Sequence, residues 1–116
     1  MIFKIALAAD WALAERAGRY DGSAHDKADG FIHFSTAPQL AETLRRYYSG
    51  IDDLLLIAVD PGKLGSALKW EHSPSRGEDF PHLFGPLLLS GVRWTHRLQR
   101  DAQGTIVIPQ MAFAKD

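Results

Sequence analysis

The chain has 116 residues, of which 46% are hydrophobic and 23% are charged, and it contains no cysteine. This is enough apolar material for one domain to bury its own core, and the absence of cysteine excludes disulfides and thiolate chemistry. The net charge of −1 provides no field that would gather nucleic acid or an anionic membrane. We therefore expect one cytoplasmic domain, residues 1–116, without membrane or nucleic acid partners.

The first segments alternate between strand and helix signals. Ile2 to Leu7 predicts a buried strand, and Ala9 to Ala17 predicts a helix that ends at Gly18. The polar, turn-rich residues 19–29 that follow predict a surface loop, and such loops commonly carry binding residues.

A second strand brings polar groups to the start of a second helix. Phe31 to Phe34 predicts a strand with its aromatic side chains and His33 on alternate faces. Thr36 begins a capping box of the S/T-x-x-E/Q pattern, which predicts a helix over Pro38 to Tyr48. The free amide groups at this helix start, with the hydroxyls of Ser35 and Thr36, favour an anion or a sugar hydroxyl. Capping alone explains the same residues without a ligand.

The second half of the chain predicts strands and loops. Leu54 to Val59 is a continuous apolar run, typical of a central strand that is covered on both faces. Ala67 to Glu71 predicts a brief strand, which a mobile loop over His72 to Asp79 follows. Val92 to Arg100 alternates apolar and polar residues and predicts a hairpin with Thr105 to Pro109. We expect one α+β domain with two helices packed on a mixed or antiparallel sheet.

Two residues near the ends of predicted strands are candidates for acid–base chemistry. Glu71 follows Trp70, and partial desolvation beside an indole would tune its carboxylate. His82 lies in residues 80–86, where two prolines and a glycine predict a rigid loop that holds the imidazole for a ligand. The structural alternatives are a solvated glutamate and a histidine bonded to a backbone carbonyl.

Other side chains have the chemistry to bind parts of a nucleotide. Trp11 and Tyr20 could stack on a base, although large aromatic residues also fill cores, and Arg76 could hold a phosphate. The ligand types of a two-histidine, one-carboxylate metal site occur in His33, Glu71 and His82. No pair of them has a close spacing such as H-x-x-x-H, so we assign no metal ligands.

Several motifs in order resemble a bacterial family called domain of unknown function 952. They are Trp11 with Gly18 and Tyr20, then DGFIHFSTAPQL, DDLLLIAVDPGKLG, LKWE, DFPHLFGPLLL and GTIVIP. The resemblance covers nearly the whole chain, and the ordered set of motifs makes it specific. Proteins of that family are grouped by fold with the ADP-ribosyltransferases, so the resemblance implies an ADP-ribosyltransferase-like fold for this chain.

A narrower similarity relates the first half of the chain to the NAD-dependent RNA 2′-phosphotransferases. The order strand, loop, FIHFS, helix and LLLIAVD is similar to their V-H-L-S run, helix and apolar strand ending in an acid. That similarity implies that His33 and Ser35 lie in a cleft for the nicotinamide dinucleotide. Lys4 stands where those enzymes carry a histidine, before Gly-Thr, that contacts the adenosine ribose. Their RNA-binding basic residues have no evident counterpart here.

The resemblance also implies a role for a carboxylate on a late strand. Many ADP-ribosyltransferases use one to hold the ribose 2′-hydroxyl and to stabilise the oxocarbenium-like charge that develops as nicotinamide leaves. Glu71 is our candidate for this carboxylate, and His82 would bind phosphate or guide an acceptor. The candidate NAD-binding residues are His33, Ser35, Thr36, Lys4, Trp11, Tyr20 and Arg76.

Four functions remain open on the sequence. The first is an NAD-dependent glycosyl (ADP-ribosyl) transferase with an unidentified acceptor. The second is a non-catalytic nucleotide-binding module, for which Lys4 in the histidine position is the discriminating feature. A metal-dependent enzyme using His33, Glu71 and His82 is the third, and a purely structural role for these polar residues is the fourth.

Overall fold

Two antiparallel three-stranded sheets and three short α-helices dominate the computed structural model, which describes residues 1–114. The α-helices are α1 (Ala8–Ala17), α2 (Ala24–Asp29) and α3 (Leu40–Tyr47). No helix in this part of the chain is long and apolar enough to cross a membrane. The strands are β1 (Ile2–Leu7), β2 (Arg19–Tyr20), β3 (Ile32–His33), β4 (Leu54–Val59), β5 (Leu68–Ser73), β6 (Glu78–Leu83), β7 (Leu87–Leu88), β8 (Val92–Arg97), β9 (Gln99–Arg100) and β10 (Ile106–Val107).

The first sheet has the order β1–β4–β8, and β4 is antiparallel to both neighbours. Its central strand is the apolar run LLLIAV, because only a strand covered on both faces can bury so many consecutive apolar side chains. The predictions of β1 and of this central strand are confirmed. Along β8, Trp94 and His96 are partly buried while Arg93 and Thr95 are exposed, which confirms the predicted alternation.

The second sheet has the order β3–β6–β5, and it corrects two predictions. The rigid loop that we expect over residues 80–86 is a strand in its first half, since β6 forms the centre of this sheet. Pro81 lacks an N–H, but its carbonyl accepts a hydrogen bond from the Phe34 amide at 3.0 Å. The loop expected over residues 72–79 shrinks to a turn over residues 74–77, because β5 and β6 pair as a hairpin.

Two of the helices follow the sequence predictions. Helix α1 ends where Gly18, at φ +81°, donates its amide to the Ala14 carbonyl at 2.8 Å. Helix α3 ends at Tyr47, one residue before the predicted end at Tyr48, and the first predicted turn is a 3-10 helix over Ala37–Gln39. The amide of Thr36 donates to Gln39 Oε1 at 2.9 Å, which is one half of the expected capping box.

The surface loop expected over residues 19–29 is wrong, because these residues form β2 and α2. Helix α2 begins with a reciprocal capping box. The Asp26 amide donates to Ser23 Oγ at 3.1 Å, and the Ser23 amide donates to Asp26 Oδ2 at 2.9 Å. The described chain therefore has three α-helices where we expect two.

Two short strand pairs complete the architecture. Strand β2 pairs with β7, and β9 pairs with β10. The second pair is the predicted hairpin, in which Asp101 Oδ1 accepts hydrogen bonds from the amides of Gln103 and Thr105 at 2.9 and 3.0 Å. All the described strand pairs are antiparallel.

The first sheet is covered by apolar residues on both faces. Ile2 and Ala6 of β1 belong to one buried cluster, with Trp11 and residues of the second sheet, whereas Phe3 and Ile5 belong to another, with α3. The two sheets are joined at β1, where Phe3 and Ser35 exchange two backbone hydrogen bonds of 2.8 and 2.9 Å. Polar residues between β1 and β3 therefore lie at the junction of the two sheets.

We predict that Gly22→Ala destabilises the fold through the start of α2. Gly22 has φ +107°, and an added Cβ would lie 2.8 Å from the Cβ of Asp26. Backbone strain and this clash together should lower the free energy of unfolding by about 3 kcal/mol. Urea unfolding measures the change.

The matched control is Gly30→Ala, which has a similar backbone strain without the clash. Gly30 has φ +87°, and an added Cβ there would meet no atom within 4 Å. We expect this variant to lose only about 1 to 2 kcal/mol. Equal losses for the two variants would contradict the close packing around Asp26.

Candidate functional site

A cavity of about 480 Å³ is lined by residues from both sheets and from α2 and α3. Its volume lies in the range of small-molecule pockets. Aromatic side chains form part of the lining, and they include Phe34, Tyr47, Tyr48 and Phe80. Among the residues that the sequence suggests for ligand binding, the structure brings to this cavity Lys4, His33, Ser35, Arg76 and His82.

The carboxylate of Asp26 is the centre of the polar network beside this cavity. Its side chain is 1% exposed and that of Lys4 is 3% exposed, and Lys4 Nζ lies 2.7 and 3.0 Å from the two carboxylate oxygens. The Ser23 amide donates to Oδ2 at 2.9 Å, and the His33 amide donates to Oδ1 at 3.1 Å. Asp26 thus connects β1, the start of α2 and β3 through its two oxygen atoms.

Burial and pairing shift the pKa of each residue of this ion pair in opposite directions. Burial alone would raise the pKa of Asp26, but the hydrogen bond from His33 and the charge of Lys4 outweigh it and hold that pKa well below its usual range. Burial lowers the pKa of Lys4, and the nearby Asp26 carboxylate opposes this shift. A buried charge is stable only with a partner, so each of these residues requires the other.

His33 is held by two carboxylates. Its Nδ1 lies 2.6 Å from Asp26 Oδ1, and its Nε2 lies 2.9 Å from Asp29 Oδ2. Each ring nitrogen of His33 therefore lies within hydrogen-bond distance of a carboxylate oxygen. The prediction that Phe31 and His33 lie on alternate faces of the strand is wrong. Their ring centroids are 4.6 Å apart, because residues two apart in a strand share a face.

His82 carries the ring nitrogen that remains available to a ligand. Its Nδ1 lies 2.7 Å from Glu71 Oε1, and its Nε2 has no hydrogen bond within residues 1–114. The ring stacks on Phe31 at 4.0 Å and lies 5.4 Å from the ring of His33, its partner in the β3–β6 register. The stack and the glutamate fix the orientation of the His82 imidazole.

Glu71 lies behind His82 rather than in the lining of the cavity. It is paired with Phe80 across the β5–β6 ladder, and its side chain is 43% exposed. Trp70 points to the opposite face of the strand and is half-exposed, so the expected shielding of Glu71 by the indole is wrong. Any effect of Glu71 on a ligand in the cavity would pass through His82.

Arg76 is positioned by three contacts. Its guanidinium nitrogens donate to Thr43 Oγ1 at 3.1 Å and to the Gln39 carbonyl at 3.3 Å, and its Cζ lies 4.6 Å from the centre of the Phe80 ring. None of these partners is acidic. Thr43 also exchanges a hydrogen bond of 3.2 Å with the hydroxyl of Ser35.

Three predicted ligand-binding residues lie away from the cavity lining. Trp11 and Tyr20 contact each other at 5.5 Å within the core. The Tyr20 hydroxyl is buried and has no hydrogen-bond partner among the described residues. Thr36 uses its amide in the cap of the following helix.

Only one group of potential metal ligands has its donor atoms close together in residues 1–114. It consists of His25, Asp29 and His33, whose donor atoms all lie within 4.8 Å of one another. The set considered from the sequence differs, because Glu71 and His82 do not form such a group with His33.

The central role of Asp26 was not predicted, although the sequence carries two signals of it. A lysine inside the apolar strand IFKIAL requires a buried acid, and Ser23 with Asp26 has the spacing of a capping box. His25, Asp29 and Thr43 were not predicted either. Nothing in the local sequence places these three residues beside the cavity.

Comparisons with known proteins give a family and a solved relative. The family model described as "Protein of unknown function (DUF952)" matches residues 5–95. A crystal structure of protein CC0527 from Caulobacter crescentus is 42% identical, covers 97% of this chain and 98% of that chain, and has a TM-score of 0.90. A solution NMR structure of the same protein is 45% identical, covers 97% of this chain and 93% of that chain, and has a TM-score of 0.80. No curated protein sequence matches the chain.

We predict a strong energetic coupling between Lys4 and Asp26. Asp26→Asn leaves the ammonium of Lys4 buried without its counter-charge and should lower the free energy of unfolding by about 3 to 5 kcal/mol. The double variant Lys4→Met/Asp26→Asn removes the unpaired charge and should lose less than the sum of the single variants. Urea unfolding of the four proteins gives the coupling energy.

The control cycle uses the exposed pair of Glu42 and Arg45 on α3, which is also hydrogen-bonded, at 2.7 Å. Solvent screens this pair, so its coupling should be small. A Lys4–Asp26 coupling no larger than that of the exposed pair would contradict the role of the buried pair.

Proposed function

The chain belongs to the family "Protein of unknown function (DUF952)", and we propose that its cavity binds NAD or a related nucleotide in an ADP-ribosyltransferase-like fold. The observation that carries this proposal is the convergence of His82 and Arg76 on one cavity. Each presents a fixed polar group there, and the two come from different parts of the β5–β6 hairpin.

Arg76 suits the phosphates of the nucleotide. Most of the other described arginines pair with a carboxylate, whereas Arg76 donates to a hydroxyl and to a carbonyl. Its positive charge is therefore not neutralised by a contacting acid. The Phe80 ring and the two acceptors hold the guanidinium in place, so little side-chain entropy would be lost when a phosphate binds.

The aromatic part of the lining suits a base or a nicotinamide ring. Phe34, Tyr47 and Phe80 line the cavity, and Tyr47 is 55% exposed. An exposed ring at the edge of a cavity gains apolar contact when a planar ligand stacks on it. The hydroxyls of Ser35 and Thr43 would donate to, or accept from, the ribose hydroxyls.

The pair of Glu71 and His82 supports a catalytic rather than a purely binding site. Glu71 Oε1 would accept a hydrogen bond from the Nδ1–H of His82, and the neutral imidazole then carries its lone pair on Nε2. That atom would accept the proton of an acceptor nucleophile, which bonds to the ribose C1′ while the C1′–nicotinamide bond breaks and its electron pair leaves on the nicotinamide nitrogen. The carboxylate of Glu71 would stabilise the resulting imidazolium.

A second function, a non-catalytic nucleotide-binding module, is favoured by the state of the other charged groups. Lys4 is neutralised by Asp26, and both ring nitrogens of His33 are hydrogen-bonded to carboxylates. These residues then shape the cavity without taking part in a reaction. The two functions share the binding site and differ in whether nicotinamide is released.

We predict that the protein binds NAD and that Arg76→Ala weakens this binding about 10-fold to 100-fold, because a charge-assisted hydrogen bond to phosphate is lost. Isothermal titration calorimetry measures the affinity. Arg45→Ala is the matched control, since Arg45 is an exposed arginine that pairs with Glu42 outside the cavity. No NAD binding at millimolar concentration, or an equal effect of both variants, would contradict the proposed site.

The catalytic version predicts that the wild-type protein releases nicotinamide from NAD and that His82→Ala slows this release about 100-fold or more. Glu71→Gln should slow release while leaving NAD affinity nearly unchanged, because Glu71 acts through His82. Chromatographic detection of nicotinamide measures the rate. NAD binding without any nicotinamide release would leave the binding module as the function.

A further inference from the structure

Three side chains at the edge of the cavity have the arrangement of an open metal site. Asp29 Oδ2 lies 2.9 Å from His33 Nε2 and 3.6 Å from His25 Nε2. The three donor atoms lie within 4.8 Å of one another, and all three residues line the cavity. We propose that His25, Asp29 and His33 bind one divalent first-row transition-metal ion of the zinc class.

The local fold explains why these three residues meet. His25 and Asp29 are four residues apart on α2, so they share one face of the helix. Gly30 then ends the helix at φ +87°, and the chain enters β3 with His33 beside that face. The rings of His25 and His33 stack with centroids 4.7 Å apart, which keeps the two imidazoles side by side.

The surroundings of His33 are those of a supported metal ligand. Asp26 Oδ1 lies 2.6 Å from Nδ1 and holds the proton there, which directs Nε2 toward Asp29 and His25. Metal-bound histidines in proteins usually donate a hydrogen bond from the N–H of their second ring nitrogen to a carboxylate in this way. Because Asp26 is buried and anchored by Lys4, the orientation of His33 is fixed before an ion arrives.

The donor atoms indicate the class of ion. Two imidazole nitrogens and one carboxylate oxygen suit Zn²⁺ and its neighbours in the first transition row. Mg²⁺ and Ca²⁺ require mainly oxygen ligands, and this group offers only one carboxylate. Three protein ligands would leave a coordination position open on the cavity side for water or a ligand.

Access to the site needs no unfolding. The side chain of His25 is 70% exposed and that of Asp29 is 43% exposed. The ion would replace the proton between His33 Nε2 and Asp29 Oδ2, and that proton would be released to solvent. This inference goes beyond the proposed function, since binding of the ion requires neither NAD nor a reaction.

The test is a Zn²⁺ titration of the chelator-treated protein, without nucleotide, in competition with a chromogenic chelator. We expect one ion per chain and a loss of affinity of about 10-fold or more in His25→Ala and in Asp29→Asn. His72→Ala is the matched control, because His72 also lines the cavity and is hydrogen-bonded to a carboxylate, that of Asp79 at 3.1 Å, but does not belong to the group of close donor atoms. It should bind Zn²⁺ as the wild-type protein does.

NMR spectra of the histidine rings locate the ion independently of affinity. Zn²⁺ should shift the ring signals of His25 and His33 and leave those of His72 unchanged, and Mg²⁺ should shift none of them. Absence of Zn²⁺ binding by the wild-type protein would overturn the inference. Equal losses in His25→Ala and His72→Ala, or equal responses to Mg²⁺ and Zn²⁺, would overturn it as well.

Discussion

The buried ion pair of Lys4 and Asp26 is the interaction on which the rest of the site depends. It places an ammonium from the first sheet against a carboxylate that also caps α2 and binds the backbone of β3. Two buried charges are costly to leave unpaired, so this pair specifies one arrangement of three segments that are distant in sequence. The lining of the cavity between them follows from that arrangement.

From this centre the polar groups divide into two sets. Asp26, Asp29 and His33 form a continuous network of hydrogen bonds, in which Asp26 is also paired with Lys4. His82 and Arg76 lie on the β5–β6 hairpin, and each is oriented by its neighbours while keeping hydrogen-bonding capacity. Both sets line the cavity, and they differ in how many of their polar atoms are already paired within the described residues.

Those parts of the fold that depend on local sequence could be predicted. The apolar run LLLIAV, the alternation along β8 and the stop at Gly18 each reflect a pattern within a few residues. Helix α2 was missed because it is six residues long and its composition is that of a turn. Strand β6 was not predicted because it contains Pro81. Whether a strand can accommodate a proline depends on how it pairs with strands that are distant in sequence.

The candidate site was predicted only in part, because it too depends on contacts between residues that are distant in sequence. His33, Ser35 and His82 stand out in the sequence and do line the cavity. The partner of Lys4 lies 22 residues away in a segment that resembles a loop, and no periodicity connects the two. Glu71 was identified, but its hydrogen bond to His82 depends on the register between β5 and β6, which local patterns do not contain.

The most direct test of this account is an NMR titration of the Asp26 carboxyl group. We expect its pKa to lie well below the ordinary value of 3.8, because His33 and Lys4 stabilise the charged form. A lowered pKa means that Asp26 contributes stability above pH 3.8 and that this stability is lost as the pH falls below that value. Burial without effective pairing would instead give Asp26 a pKa of 3.8 or higher. That result would contradict the central role of the Lys4–Asp26 pair.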